Sequence, residues 1–475
     1  MNHGSSGLLL LVIYLLLAVF LMPLFQGPGS ERDLINRAAA ASLVERTTFD
    51  ISRFEKEMGE RFTDVKRVGD RVYPARPPGF TIVSAPFYAL ARVFLGEADS
   101  GNLKAGWFVL RFLLASCPLL LLGIWLFGSE VDAFSLGVFL FATPLFPLSL
   151  IYSPLVFVAV LVYLAFRVIF DFDRVMPGRC FTAGLFLGFC LLCDIRALLP
   201  IAVFFVGLLF TGGKDVRSRL AYYLAGIVPF AAALAFYSWW LFGSVLAVVP
   251  VENLRIPVLY TYFEMWFSPS KGLFFYAPVL LFSIYAVFTT KAGGTLRFGV
   301  KYSLIVLALV LSVFWRESDT GLAVPASTFA IVLPMFLDPL FDGESDEYSS
   351  LWRGFFFTLS LLFCTIPVLV YPFAPASLDY PHNSFWQPLI FEHHSFVPNA
   401  VGWFGFESPW LIAVPVAALL LILFALLRTA RYPARFAIGV LAGLLLVGNY
   451  MFFTDLELEK ARPFVEQISG IRDQV

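Results

Sequence analysis

The chain has 475 residues, 59% of them hydrophobic and 14% charged, with a formal net charge of −1. A water-soluble domain carries roughly a quarter of its residues as charges, so this composition, with a mean hydropathy of +0.81, excludes an ordinary soluble domain. The near-zero charge balance excludes nucleic acid as the expected partner and leaves membrane lipid as the obvious one.

Charges fall between apolar runs of about 17–24 residues, the length that crosses a hydrocarbon core. The runs are continuous rather than alternating, and backbone polar groups in lipid must be satisfied within the segment, so they are read as helices. The expected fold class is an all-α integral membrane protein with about 13 transmembrane helices. Residues 1–26 hold the first span, Gly7–Gln26, which lacks a basic n-region and is longer than a signal-peptide core, so it reads as a retained helix. Residues 27–104 form an extracytoplasmic loop. Residues 105–371 form the membrane core, with a further extracytoplasmic loop at 244–271. A third such loop spans 372–408, C-terminal spans 409–453, and a tail 454–475. Core spans are expected near 105–127, 133–151, 153–170, 180–195, 197–212, 220–243, 272–290, 299–315, 321–338 and 353–371.

Orientation follows from the short loops. Alternate connections carry Arg174 and Arg179; Lys214, Arg217 and Arg219; Lys291, Arg297 and Lys301; and Arg428, Arg431 and Arg435. Threading the spans puts all four on one side, taken as cytoplasmic. The acidic connection Asp338–Arg353 is the exception. The opposite side receives the long loops, rich in Trp, Tyr, Pro and charge, and long loops more often carry function.

In the first long loop, Glu31–Phe49 reads as an amphipathic helix with Ser30 as N-cap, suited to the membrane surface. Residues Asp64 to Tyr73 alternate around Gly69-Asp70 as a hairpin would. Pro74-Ala-Arg-Pro-Pro-Gly79 breaks structure, and Phe80–Leu95 resumes as an apolar helix containing Pro86. The loop is therefore expected to be structured, with interfacial helices bracketing a hairpin and a basic turn.

These residues resemble a family. Glu31 and Asp33 after the first span, Ser42-Leu-Val-Glu-Arg-Thr-Thr-Phe-Asp-Ile51, Thr63-Asp-Val65 and Tyr73-Pro-Ala-Arg-Pro-Pro-Gly79 stand in order. Leu241-Phe-Gly-Ser244 and Ser268-Pro-Ser-Lys-Gly-Leu-Phe-Phe-Tyr-Ala-Pro-Val279 follow. Together they are similar to the bacterial GT-C glycosyltransferases related to the aminoarabinose and protein mannosyl transferases. Ala75 stands where relatives carry Asp or Asn. The resemblance implies a polyprenyl-phosphate sugar donor, a glycan, lipid or protein acceptor, and a site facing the periplasm or exterior of a bacterial inner membrane. Such transfer needs a base for the acceptor hydroxyl and cations for the departing phosphate. Glu31, Asp33 and Asp64 are the candidate catalytic carboxylates; Arg76, Lys271 and Tyr73 are the candidate donor-phosphate residues. A transporter or flippase of lipid-linked sugars, or a non-catalytic relative, is the alternative; no inverted repeat of the kind transporters use is evident.

Other groups have plainer readings beside functional ones. Glu31 and Asp33 also favour the positive end of a helix, and Arg76 and Lys271 also suit an interfacial position. Asp194 and Arg196, between two apolar runs, form either a local ion pair or part of a site. Arg111 is read as snorkelling outward from the second span. His382, His393 and His394, with Asp379 and Glu392, are a possible divalent-metal set, although adjacent histidines space ligands poorly. No metal ligand or cofactor is assigned. Trp386, Trp403, Phe404 and Trp410 would stack on sugar or form an interfacial belt. Cys190 and Cys193 have CxxC spacing without further ligands and are read as packing residues.

Overall fold

The structure, a computed structural model, describes residues 3–21, 31–58, 62, 64–95, 107–129, 131–170, 175–210, 215–249, 256–289, 296–315, 322–342, 347–375, 377–393, 408–452 and 457–472. After α1 (His3–Phe20) come α2 (Glu31–Arg46), α3 (Ser52–Met58), strands β1 (Val65–Val68) and β2 (Arg71–Pro74), and α4 (Gly79–Leu95). The membrane region begins with α5 (Trp107–Gly128). It continues through α6 (Ala133–Phe141), α7 (Leu145–Ser149), α8 (Pro154–Phe170), α9 (Pro177–Cys193), α10 (Leu198–Phe210) and α11 (Val216–Phe242). Next are α12 (Leu259–Phe267), α13 (Leu273–Tyr276), α14 (Leu281–Thr289), α15 (Leu296–Ser312), β3 (Leu322–Ala323), α16 (Leu333–Leu337) and α17 (Glu347–Val370). The chain closes with β4 (Ala374–Pro375), α18 (Gln387–Phe391), α19 (Ser408–Thr429), α20 (Pro433–Phe452) and α21 (Leu458–Arg472).

Among the described residues, four helices, Trp107–Gly128, Val216–Phe242, Ser349–Val370 and Pro433–Met451, are long and apolar enough to cross a membrane, and shorter apolar helices accompany them. Apolar side chains such as Phe236, Trp240, Leu420, Leu441 and Leu445 point outward from these helices. Bare apolar faces of this kind require lipid as their solvent, and the chain is an integral membrane protein. Glycines set two helix crossings. A methyl at Gly184 would strike the backbone of Tyr223, so α9 and α11 approach closely, and Gly439 does the same for α20 against Leu351.

Three expected spans are interrupted, each near a proline, which removes an amide donor and obstructs the preceding turn. Residues 133–151 divide into α6 and α7 around Pro144, with the Thr143 hydroxyl accepting from the Leu145 amide at 3.3 Å. Residues 272–290 break at Ala277-Pro278, and residues 321–338 become β3, a 3-10 turn at Ser327–Phe329 and α16.

Asp338 lies at the α16 end, bonded to Lys301 Nζ at 2.5 Å, the Tyr163 hydroxyl at 2.8 Å and Arg167 at 3.1 Å. The acidic residue that opens the exceptional connection therefore meets basic residues at the ends of α8 and α15. At the other end of the helix bundle, the first loop folds as a unit. Its hairpin pairs Val65 with Pro74 and Val68 with Arg71 around the two-residue Gly69-Asp70 turn, where Gly69 takes φ +60°. The Ile51 amide donates to Val72 O at 2.8 Å, fixing the link after α2 to β2. The α2 helix does not lie on the surface as expected: Leu34 through Ala41 are all buried, Leu34, Ile35, Ala38 and Ala39 against Ile51, Phe62 and Val72. Its run of alanines allows neighbours to close on both faces. The amphipathic role falls to α4, which exposes Leu90, Val93 and Phe94. Ser30, the expected cap, lies outside the described residues.

Candidate active site

The first turn of α2 carries the expected carboxylates directly after the first span. Asp33 is only 3% exposed. Its Oδ1 accepts from Arg37 Nε at 2.7 Å, and Oδ2 accepts from a second Arg37 nitrogen and from Arg111 Nη2 at 2.8 Å. Burial pushes the Asp33 carboxyl up from the ordinary value, and the adjoining Arg37 charge opposes that shift. The Arg37 guanidinium also lies 5.3 Å from the Trp107 ring centroid. Tyr88 stacks on Trp107 at 5.4 Å, and Tyr152 meets both Trp107 and Phe80. Arg111 is therefore not a snorkelling residue: at 4% exposure it reaches inward to the carboxylate of the first loop. The side chain of Glu31, at the first position of α2, lies outside the described residues.

Asp64 and Arg76 flank the hairpin and meet across its base. Arg76 Nε donates to Asp64 Oδ2 at 2.7 Å, and a second guanidinium nitrogen bonds the same oxygen. Both stay partly open, with side-chain exposures of 21% for Arg76 and 34% for Asp64. The Pro77-Pro78-Gly79 turn holds Arg76 against the end of α9. A Cβ on Gly79 would sit 2.5 Å from Leu192 O, 2.6 Å from Leu192 C and 2.9 Å from Cys193 N. Only glycine permits that approach. One residue further, Asp194 pairs with Arg196 at 2.8 Å and accepts from the Arg196 amide at 2.9 Å. The pair is local, and it lies within electrostatic reach of Arg76. Phe80, adjacent to Gly79, packs its ring against Tyr152 at 5.0 Å.

Tyr73 is buried, its ring edge-on to Phe242 at 6.1 Å, so its ring packs the hairpin against the end of α11. Lys66 adds a bond to Ala247 O and lies 5.6 Å from the Phe242 centroid. Lys271 stands on a separate turn between α12 and α13 and pairs with Glu264 at 2.8 Å. The Tyr276 hydroxyl donates to Pro269 O at 2.9 Å, bracing that turn. Much of the Ser42–Ile51 motif is structural: Ser42 Oγ donates to Asp50 O at 2.7 Å, and Glu45 accepts from the Tyr88 hydroxyl at 2.8 Å.

Among the described residues the expected histidine set forms no metal-binding cluster. His382 is fully buried among Phe275, Tyr276, Phe363, Trp386 and Tyr450, and burial pushes its imidazole down to about 3. Among the described residues no three His, Cys, Asp or Glu side chains are grouped to hold a metal ion. Trp386 is a core residue whose indole donates to Tyr371 O at 2.8 Å. His394, Trp403 and Phe404, and the side chain of Trp410, lie outside the described residues. Cys190 and Cys193 are buried free thiols.

Sequence reasoning missed that Arg37 and Arg111 both bind Asp33. The Asp33–Arg37 pair had a legible signal, a four-residue spacing on a helix. Arg111 had a weaker one, a charge inside an apolar span.

No protein-family model and no curated protein matches this sequence. Among solved structures, the chain is similar to the crystal structure of ArnT from Cupriavidus metallidurans bound to undecaprenyl phosphate. Identity is 16%, the TM-score is 0.46, and the match covers 92% of this chain and 76% of that one. At that distance it says nothing of activity or substrate.

Proposed function

We propose that this chain is a membrane glycosyltransferase of the GT-C class, moving a sugar from a polyprenyl-phosphate donor to an acceptor at the end of the bundle where the first loop sits. The observation that carries the reading is the Asp64–Arg76 pair. A partly open carboxylate and guanidinium are held on the two flanks of a docked hairpin, beside Asp194 and Arg196 at the junction of two apolar helices. Arg76 and Lys271 are assigned to the phosphate, which meets arginine in charge-assisted bonds. In the reaction, the acceptor hydroxyl oxygen attacks the anomeric carbon and gives its proton to a first-loop carboxylate. The bond from that carbon to the phosphate oxygen breaks, and the polyprenyl phosphate leaves with the electron pair, inverting the centre. Both Asp33 oxygens are occupied by guanidinium groups, so Glu31, two residues earlier in the same motif, is assigned the base.

The test is transfer from a panel of radiolabelled polyprenyl-phosphate sugars in membranes. Arg76→Ala and Glu31→Gln are each expected to lower transfer by about a hundredfold or more at normal expression. Transfer by neither the wild type nor any variant, from any donor, would overturn the reading in favour of a transporter or a non-catalytic relative.

A further inference from the structure

Residues 244–271 read from sequence as an extracytoplasmic loop, yet the helix within them, α12, presents an apolar face to the outside. Leu259 is 87% exposed, Tyr260 71%, Phe263 63% and Phe267 45%. At 3.6 residues per turn these four positions fall within a sector of roughly 100°. Another side of α12 is committed to the protein: Met265 is buried, and Tyr262 and Trp266 pack against the core of the bundle. Glu264 lies between the two sides and pairs with Lys271. The helix is therefore amphipathic, with a contiguous apolar face that no described part of the chain covers, and faces of that kind mark an interaction surface.

Position and continuity name the partner. α14, which follows α12 and α13, meets the Asp338–Asp342 turn, so α12 sits at the opposite end of the bundle, with the first loop. α11 also ends there, where Tyr73 packs on Phe242. Over its last turns α11 exposes Phe236, Trp239 and Trp240 to lipid, Phe236 and Trp240 stacked at 6.4 Å. Val245 and Leu246 after α11, and Ile256 and Val258 before α12, are exposed as well, so the apolar surface resumes on each side of the connection. Trp and Tyr favour the boundary between headgroups and acyl chains. The nine residues of α12 rise only about 13 Å, against about 30 Å of hydrocarbon core, so this helix cannot cross the bilayer.

We propose that α12 docks in the surface of the bilayer at the first-loop end, with Leu259, Tyr260, Phe263 and Phe267 seated among the acyl chains just below the headgroups. The segment is then an interfacial anchor rather than a loop in water, and the Glu264–Lys271 pair ties the adjoining turn to it. This inference goes beyond the transferase reading and does not depend on it.

The experiment uses the full chain in nanodiscs of phosphatidylcholine and phosphatidylglycerol, spin-labelled at Tyr260→Cys or Phe263→Cys, with Phe267→Cys in place of either that fails to fold. Asp70→Cys at the exposed hairpin tip is the water reference, and Leu441→Cys on the bare face of α20 is the lipid reference. The native cysteines are buried or half-buried, and the signal from the labelled wild type is subtracted. Power saturation measures collisions with oxygen, which dissolves in hydrocarbon, and with a water-soluble nickel chelate, which does not. Both α12 positions are expected to lose nickel collisions relative to Asp70→Cys and to show the oxygen excess of Leu441→Cys. A nickel excess at either position overturns the docking. Loss of collisions with both reagents at either position also overturns it, because protein, such as a second copy of the chain, would then cover the face.

Discussion

Replacing Asp33 by alanine is the most informative single perturbation of this site. Its carboxylate is the recorded ion-pair partner of both Arg37 and Arg111, in a cluster where Asp33 is 3% and Arg111 4% exposed. Asp33→Ala removes the acceptor of three charge-assisted hydrogen bonds and strands two guanidinium groups away from water. Breaking a buried pair by deleting one partner costs about 3–5 kcal/mol, chiefly through the charge left behind. Deleting a stranded charge as well should return part of that loss, so Asp33→Ala with Arg111→Met is expected to be about 2 kcal/mol more stable than Asp33→Ala alone. The assay is equilibrium unfolding of the purified chain in mixed micelles under increasing denaturing detergent. If Asp33→Ala unfolds within about 1 kcal/mol of wild type, or the second change returns nothing, the cluster is not the buried charge network described here. The same logic governs activity: loss of transfer in Asp33→Ala follows from damage to this network and does not identify Asp33 as the base.

Two other perturbations test separate parts of the structure. Gly79→Ala would drive a methyl into the backbone of Leu192 and Cys193, and overpacking of this type costs about 1–3 kcal/mol; reduced stability together with lowered transfer is expected, and unchanged unfolding would show that α4 does not pack on α9 as described. His382 tests a pH effect. Its imidazole is held at about 3, against an ordinary 6.5, so between those values the unfolded chain binds a proton that the native chain does not. Its contribution to stability is complete above about pH 6.5 and falls by about 1.4 kcal/mol per unit as pH drops towards 3. His382→Phe should flatten that slope, read as the difference in unfolding midpoint between pH 7 and pH 5; parallel slopes in variant and wild type would refute the assignment.

Local chemistry explains what could be read without coordinates. Alternation around Gly69-Asp70 specified a hairpin because a two-residue turn needs a residue at positive φ, and β1 and β2 pair around that turn. Long apolar runs specified membrane helices because lipid leaves the backbone no other partner. Prolines 144, 278, 325 and 334 were visible too, yet whether a proline bends a span or ends it depends on what packs beside the freed carbonyls. The hairpin and α4 were legible; the burial of α2 was not, since its modest apolar stripe gave no hint of neighbours on its polar face.

For the candidate site the division is sharper. Residue types and the motif resemblance together nominated Glu31, Asp33, Asp64 and Arg76, and the last two do meet, twelve residues apart across a hairpin whose turn was readable. Lys271 was nominated by a motif but pairs with Glu264 on the adjoining helix α12. Arg111 lies 78 residues from Asp33, and no periodicity or propensity links them. Sequence alone determined the membrane habit, the hairpin and the types of charge available, because these depend on short-range sterics and on transfer from water. Only the tertiary structure decided which charges share a buried space, because that depends on how α2, α4 and α5 pack.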